Sequence, residues 1–396
     1  MRIFSLPTRA VCLPALLALG LAPAISFAQS AARQKFYLGA DISSLASGRG
    51  GGRGGPMVYK ENDQENPEFA IMMKHGWNAF RLRVFVSPVR MAPNNSLENT
   101  LPLAKKLKEA GATFMLDIHY SDTWADPQHQ ETPLAWRDLD AAGLEKRIEE
   151  YSKDVITQLK NAGAMPDMVQ VGNEITGGML WPTGYVKVPP STVKLDAGQI
   201  RGPFPDPYVE TTQWENLIRF IKAGIRGVRG GAAGSPVKII MHIDCGGDWP
   251  VTQSWFDHLK SAKVDYDIIG QSFYPRWHGT PALLQQNIVE SIRRYKKPFM
   301  VVETGYPQSG GDQVMTANKY NLWPGTQAGQ LQFMVDLVNT VKRAGGSGVF
   351  YWAPEGGRGN GLWNADGTPD PAVFVLDNLA KLKDAPGSHL PPAPAK

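Results

Sequence analysis

From residue 36 onward the chain alternates short apolar runs with longer amphipathic stretches. Eight of the runs have strand length: Phe36–Ile42, Ala79–Phe85, Thr113–His119, Met168–Gly172, Val237–Ile243, Asp267–Phe273, Phe299–Val302 and Gly348–Trp352. Between them, apolar residues recur at helical spacing and predict helices, among them Pro67–His75, Leu97–Ala110, Leu144–Ala162, Thr212–Arg229, Leu283–Tyr295 and Ala328–Ala344. Gly76, Gly111 and Gly163 stand where helices should stop, just ahead of the next strand. Strand followed by helix, repeated eight times, predicts an α/β protein with a single (β/α)8 TIM barrel. A doubly wound open sheet would carry a phosphate or dinucleotide motif after an early strand, and none is present. The Gly-rich stretch Ser47–Pro56 lacks the Gly-Lys-Ser/Thr ending of a phosphate cradle and reads as a loop after the first strand.

The two ends depart from this pattern. Arg2 and Arg9 precede an apolar run from Val11 to about Ile25, broken by Pro14 and Pro23, and Ser26-Phe27-Ala28 offers small residues for cleavage. Residues 1–28 therefore read as a signal peptide and residues 29–384 as one catalytic domain. The Pro/Ala-rich residues 385–396 read as a disordered tail. The expected location is secreted or periplasmic. Cleavage removes Cys12 and leaves Cys245 alone, without an internal disulfide. No later run approaches the ~18 uninterrupted apolar residues of a membrane span. Two of the charges behind the net +4 lie in the leader, so the mature chain is nearly balanced. Nucleic acid and stable membrane association drop out as partners. A monomer is the expectation.

The chemistry gathers at strand ends. Strand two ends in Arg81-Leu82-Arg83, three in Asp117-Ile118-His119, and four in Asn173-Glu174. Strand five ends in His242 and Asp244, strand six leads to Tyr274, Trp277 and His278, strand seven to Glu303, and strand eight to Trp352. Side chains at the C-terminal ends of barrel strands line the active-site mouth. Glu174 and Glu303, after strands four and seven, should face each other across it. Two carboxyl groups split a glycosidic bond with retention when they lie about 5–5.5 Å apart, and with inversion at about 6.5–9.5 Å. Arg83 is expected to hold Glu303 ionised, and Tyr274 to donate to it. Asn173 is placed to bind the hydroxyl beside the anomeric carbon, and His119 to orient or bind a sugar hydroxyl. Asp117, His242 and His278 complete the polar lining. Trp124, Trp277, Trp352 and Trp363 are candidate stacking platforms. No His-x-His or His-Glu-x-x-His spacing indicates a catalytic zinc, and no cofactor is expected.

Longer segments carry a resemblance. YLGADISSL at Tyr37–Leu45, RLRVFVSP at Arg81–Pro88, LDIHYSDTWADP at Leu116–Pro127, VQVGNEITGGMLWP at Val169–Pro182, DIIGQSFYPRWHG at Asp267–Gly279 and VVETGYP at Val301–Pro307 resemble the endo-β-1,4-galactanases of glycoside hydrolase family 53. The resemblance implies a retaining barrel enzyme that cleaves internal β-1,4-galactosyl linkages in galactan or type I arabinogalactan, with Glu174 as acid/base and Glu303 as nucleophile. The chain departs from the family in reading Tyr351-Trp352-Ala353-Pro354 where relatives usually carry Tyr-Trp-Glu-Pro, with Glu355 following. Its strand-six Gln271-Ser272-Phe273-Tyr274 and its Gly-rich first loop also differ. These departures leave another plant β-glycan as the alternative substrate. Some relatives bind calcium after strand seven, but Gln308–Thr326 holds only Asp312 as an acid, poor provision for a cation wanting about six to eight oxygens.

Overall fold

The structure is a computed structural model and describes residues 35–47, 57–88, 95–194, 212–308, 319–356 and 359–394, together with Met1. Most of the signal segment, nearly all of the Gly-rich loop, and Asp312 lie outside these residues. Eight parallel strands close into a barrel: β1 (Tyr37–Asp41), β2 (Ala79–Val84), β3 (Thr113–Ile118), β4 (Met168–Val171), β5 (Lys238–Ile243), β6 (Ile268–Ser272), β7 (Phe299–Thr304) and β8 (Gly348–Trp352). Each strand pairs with its sequence neighbours, and β8 closes onto β1. The outer helices are α1 (Glu68–Lys74), α2 (Leu97–Glu109), α3 (Ala141–Asn161), α4 (Trp214–Ala232), α5 (Trp249–Ser261), α6 (Pro281–Tyr295), α7 (Gln327–Arg343) and α8 (Val375–Leu382).

Two apolar layers hold the barrel together. Outward-facing strand residues such as Phe80, Leu82, Leu116, Val169 and Val349 are buried against the helices. Inward-facing Ala79, Met115, Met168, Ile240, Met300 and Phe350 fill the lower interior as a separate cluster. The period of two along each strand explains both. In β2, Ala79, Arg81 and Arg83 share the inner face, while Phe80, Leu82 and Val84 share the outer one. The interior thus changes from apolar at the bottom to charged at the top. Helix starts are specified locally: Ser96, Asp140, Thr280 and Thr326 each accept from a backbone N–H in the first turn of α2, α3, α6 and α7. Such caps contribute about 1 kcal/mol apiece. On α4, Gly227 and Gly231 let α3 approach closely, since a Cβ there would sit 2.4 Å from Glu149 O and 2.6 Å from Lys153 O.

One expected bound needs correction, and helix α5 supplies the helix expected after the fifth strand. Asp248 caps it and Val251, Trp255, Phe256 and Leu259 form its buried face. Strand β7 runs to Thr304, so Glu303 lies inside the strand. Residues 385–394, which the sequence reads as part of a disordered tail, contain no helix or strand and touch the outer layer of the barrel at a few points. His389 N donates to Asp336 Oδ2 at 2.7 Å, Ser388 Oγ donates to Asp336 Oδ1 at 2.8 Å, and the His389 ring lies 5.3 Å from that of Trp323. Polar anchors of this kind are invisible to a composition argument. Among the described residues no helix is long and apolar enough to cross a membrane.

Candidate active site

The upper interior of the barrel is organised around Arg81, which is 1% exposed. A guanidinium has five N–H donors and no acceptor, and here each has a place to go. Nε donates to Gln170 Oε1 at 2.8 Å. Nη1 donates to Asp41 Oδ2 at 2.8 Å and Glu303 Oε2 at 3.1 Å. Nη2 donates to Asp117 Oδ2 at 2.7 Å and Asn173 Oδ1 at 2.6 Å. The group that holds Glu303 is therefore Arg81, and the expectation for Arg83 is overturned. Arg81 sits opposite Asp41 in the β1–β2 register, whereas Arg83 lies two residues nearer the rim. Arg83 donates to Asp41 Oδ1 at 2.9 Å and Asn95 Oδ1 at 2.9 Å, and its guanidinium lies 4.3 Å from the centre of the Trp124 ring. Burial pushes Asp41 up, but Arg83, Arg81 and Ser43 together hold it below the usual carboxylate range. Asp117 behaves alike. Burial opposes its charge, yet Arg81 and His119 bring it to about 2.

Glu174 and Glu303 face each other over this base. An oxygen of each and a ring nitrogen of His242 lie within 4.8 Å of one another. The two acids have different surroundings. Glu303 accepts from Tyr274 Oη at 2.9 Å as well as from Arg81. Glu174 accepts from Ser272 Oγ at 2.5 Å and touches no cation among the described contacts. Burial raises both acids. For Glu303, Arg81 and Tyr274 pull back toward the ionised form. For Glu174, burial is joined by repulsion from Glu303 and Asp244, and its carboxyl is raised well above the usual range. Environments that push two nearby acids apart assign one the proton and the other the charge. The backbone assists: Glu174 has φ of 47° and ψ of 45°, in the left-handed region, just after Gly172 at φ 90°. A non-glycine residue there costs on the order of 1–3 kcal/mol and is held only where surroundings over-determine it.

Glu174, Glu303 and His242 are close enough together to suggest a metal site, but His242 has no ring nitrogen to spare. Its Nδ1 receives Gln170 Nε2 at 2.7 Å and the Glu174 backbone N–H at 3.4 Å, and its Nε2 lies 2.9 Å from Ser272 Oγ. Burial first, then Arg81, push the imidazole down to about 3, so it is neutral.

The remaining expected residues divide by exposure. Asn173 Nδ2 donates to Ala125 O at 2.7 Å, which with Arg81 fixes its amide beside the two acids. His119 accepts from Ala125 N at 3.0 Å through Nδ1, turning Nε2 toward Asp117 Oδ2 at 2.9 Å. His119 and Asp117 are thus buried supports of the site floor. His278 Nδ1 accepts from Tyr274 N at 2.9 Å, and its Nε2 lies 3.8 Å from Asp244 Oδ2, so it orients the segment carrying Tyr274. Trp124 is 38% exposed, and its ring stands 6.4 Å from that of half-buried Trp352, so these two form one aromatic wall. Trp277 is half-buried, with the Arg276 guanidinium 4.3 Å over its ring. Trp363 is not a platform. It is 6% exposed, donates to Glu68 Oε1 at 2.7 Å and packs edge-on against Tyr59. The sequence did not mark Asp41, Gln170 or Ser272 as site residues, although Ser272 lies in a segment that departs from the family. The one available signal was a polar residue on the inner face of an otherwise apolar strand.

Comparison with known proteins bears on the family and the fold. The profile described as Glycosyl hydrolase family 53 matches residues 37–379. A Niallia circulans protein described as uncharacterized, in the bgaB 5' region, is 37% identical over 81% of this chain and 84% of its own length. The arabinogalactan endo-beta-1,4-galactanase of Humicola insolens is 32% identical over 80% of this chain and 89% of its own. Among solved structures, one from a study of two fungal beta-1,4-galactanases has a TM-score of 0.70 at 28% identity, covering 86% of this chain and 98% of its own. The Ignisphaera aggregans GH53 catalytic domain has a TM-score of 0.70 at 26% identity, covering 87% and 95%. With the family profile spanning nearly the whole barrel, the chain belongs to glycosyl hydrolase family 53.

Proposed function

We propose that the protein is an exported, endo-acting, retaining β-1,4-galactanase whose substrate is galactan or type I arabinogalactan. The observation that carries the reading is the acid pair. Oxygens of Glu174 and Glu303 approach within 4.8 Å, which fits the ~5–5.5 Å carboxyl spacing of retention. In the first half-reaction Glu303 attacks the anomeric carbon while Glu174 gives its proton to the departing glycosidic oxygen. The products are a galactosyl ester on Glu303 and a shortened chain with a free hydroxyl. In the second half-reaction Glu174, now ionised, takes a proton from water. The hydroxide so formed displaces Glu303 from the anomeric carbon, and the configuration is restored. Arg81 and Tyr274 hold both oxygens of the nucleophile, so the carboxylate starts ionised and oriented. Asn173, fixed by Arg81 and Ala125, is placed for the neighbouring sugar hydroxyl.

Galactan as substrate rests on the galactanase relatives. Export rests on the leader at residues 1–28. The test is reducing-sugar release by purified protein on debranched β-1,4-galactan beside mannan, xylan and arabinan, with NMR of the first-formed anomer. Oligosaccharides from galactan alone, formed as the β-anomer, are expected. Activity on another polysaccharide with silence on galactan would move the substrate and leave the acid pair in its roles. A first-formed α-anomer would overturn the mechanism.

A further inference from the structure

The contacts behind Glu174 have a direction, and that direction is not needed merely to pack the barrel. Arg81 can only donate, so the Gln170 oxygen must face its Nε, leaving the Gln170 amide N–H to face His242 Nδ1 at 2.7 Å. The backbone N–H of Glu174 reaches the same Nδ1 at 3.4 Å, and a backbone donor has no alternative orientation. With Nδ1 an acceptor, the neutral ring carries its proton on Nε2 and donates to Ser272 Oγ at 2.9 Å. The single Ser272 proton is then left for Glu174 Oε1 at 2.5 Å. Every link runs the same way, from the guanidinium to the acid.

We propose that Gln170, His242 and Ser272 form a polarised hydrogen-bond relay that keeps Glu174 Oε1 as an acceptor and so confines the acid/base proton to Oε2. No proton travels along the relay and no bond in it breaks. It acts by position. While Glu174 is protonated, the hydrogen sits on the oxygen not engaged by Ser272, aimed at the leaving group. When Glu174 is ionised, Ser272 stabilises the charge it must carry to take a proton from water. The relay starts on the same guanidinium that holds Glu303, so Arg81 orients the nucleophile directly and the acid through three side chains. Ser272, His242 and Gln170 are positioning residues, and the proposal rests on Glu174 being the acid/base.

The test is Ser272→Ala, which removes the last donor with little change in volume. Losing a hydrogen bond to the ionised form raises the acid's pKa. The alkaline limb of the kcat/KM pH profile should move up by about one unit, the scale of a single charge-assisted hydrogen bond. Turnover of galactan should fall about tenfold on the same scale. The kcat/KM of a dinitrophenyl β-1,4-galactobioside, which reports only the first half-reaction and whose leaving group departs without an acid, should change less than about twofold. Gln170→Glu supplies a second route. The new carboxylate accepts from both Arg81 and the imidazole, moves the ring proton to Nδ1, and turns the Ser272 hydroxyl from Glu174 toward Nε2. It should reproduce the limb shift with Ser272 intact. An unmoved alkaline limb in folded Ser272→Ala, or equal losses on the two substrates, overturns the relay. A limb that moves in Ser272→Ala but not in Gln170→Glu overturns its polarity. Glu174→Ala with added azide separates the layers. Absence of azide rescue on the activated substrate sinks the acid/base assignment itself, whereas rescue alongside an unmoved Ser272→Ala limb sinks the relay alone.

Discussion

Removing the Tyr274 hydroxyl should move the acid limb of the pH–rate profile and leave the alkaline limb in place. The phenol donates to Glu303 Oε1 at 2.9 Å, on the carboxylate that, as the proposed nucleophile, must be ionised to attack. A hydrogen bond to a charged group contributes about 1.5–3 kcal/mol, and one pKa unit is 1.36 kcal/mol, so Tyr274→Phe should raise the Glu303 pKa by about 1–2 units. The sign follows from which form is bonded. Tyr274 and Arg81 both favour the ionised nucleophile against its burial, so losing one donor lets burial win by that much more. Below the new pKa the nucleophile is protonated and idle, hence activity is lost from the acid side. The assay is kcat/KM against pH on an activated aryl galactobioside, for which Glu174 protonation does not limit the first step. Burying Phe in place of Tyr leaves packing intact, so thermal unfolding should change little. An acid limb that stays within a few tenths of a unit would refute the claim that Tyr274 sets the charge on Glu303. Arg81 would then be sufficient by itself.

Other outcomes follow from the same geometry. Glu174→Gln should lower galactan turnover by about 10²–10⁴-fold, the range of general acid–base catalysis, and Glu303→Gln by at least as much, with both variants folded by circular dichroism. Trp124→Ala should raise KM on galactan by about 2–10-fold with a smaller effect on kcat, since an aromatic contact contributes about 0.5–1.5 kcal/mol beyond area. Trp363→Phe should leave KM unchanged and lower stability by about 1–3 kcal/mol in chemical denaturation, because it strips a donor from buried Glu68. Glu355 is 3% exposed and burial pushes its carboxyl up to about 8, so stability is lost as pH rises from its ordinary 4.5 through about 8. Glu355→Gln should flatten that part of the melting-temperature profile and raise the melting temperature at its alkaline end.

The barrel was legible in the sequence because its strands are buried on both faces. Runs such as Ala79–Val84 and Phe299–Thr304 are apolar enough to stand out from amphipathic helices, and the predicted strand bounds fall within two residues of those observed. Helix α5 was expected from the strand–helix alternation without bounds of its own, and its buried face is Val251, Thr252, Trp255, Phe256 and Leu259. The contacts of the tail were hidden for a different reason. Composition speaks to whether a segment can build a core, and residues 385–394 build none. They lie against α7 through Asp336 and against Trp323, residues about fifty to sixty-five positions away.

The site was legible as a set of residues and not as a wiring. Strand ends marked Glu174, Glu303, Asn173, His242 and Tyr274, because a charged or polar residue closing an apolar strand points into the mouth. The partners of each were fixed by stagger between strands, which one chain's pattern does not contain. Arg81 and Arg83 share an inner face, and the sequence treats them alike. Only the register that sets Asp41 beside Arg81 gives Arg81 the contact with Glu303 and sends Arg83 toward the rim and Trp124. The same stagger sets Ser272 beside Glu303 at the irregular end of the β6–β7 pairing, bringing a small hydroxyl within 2.5 Å of Glu174 from two strands away. Substitutions at Arg81 and Arg83 should therefore part company. Arg81→Lys leaves three donors where five acceptors stand, two of them buried carboxylates, and breaking such a pair costs about 3–5 kcal/mol. It should impair folding and both limbs of the pH profile together. Arg83→Lys keeps a cation near Asp41 and touches neither acid, so its effect should fall on KM through Trp124. If the two variants behave alike, the register drawn here for β1 and β2 is wrong.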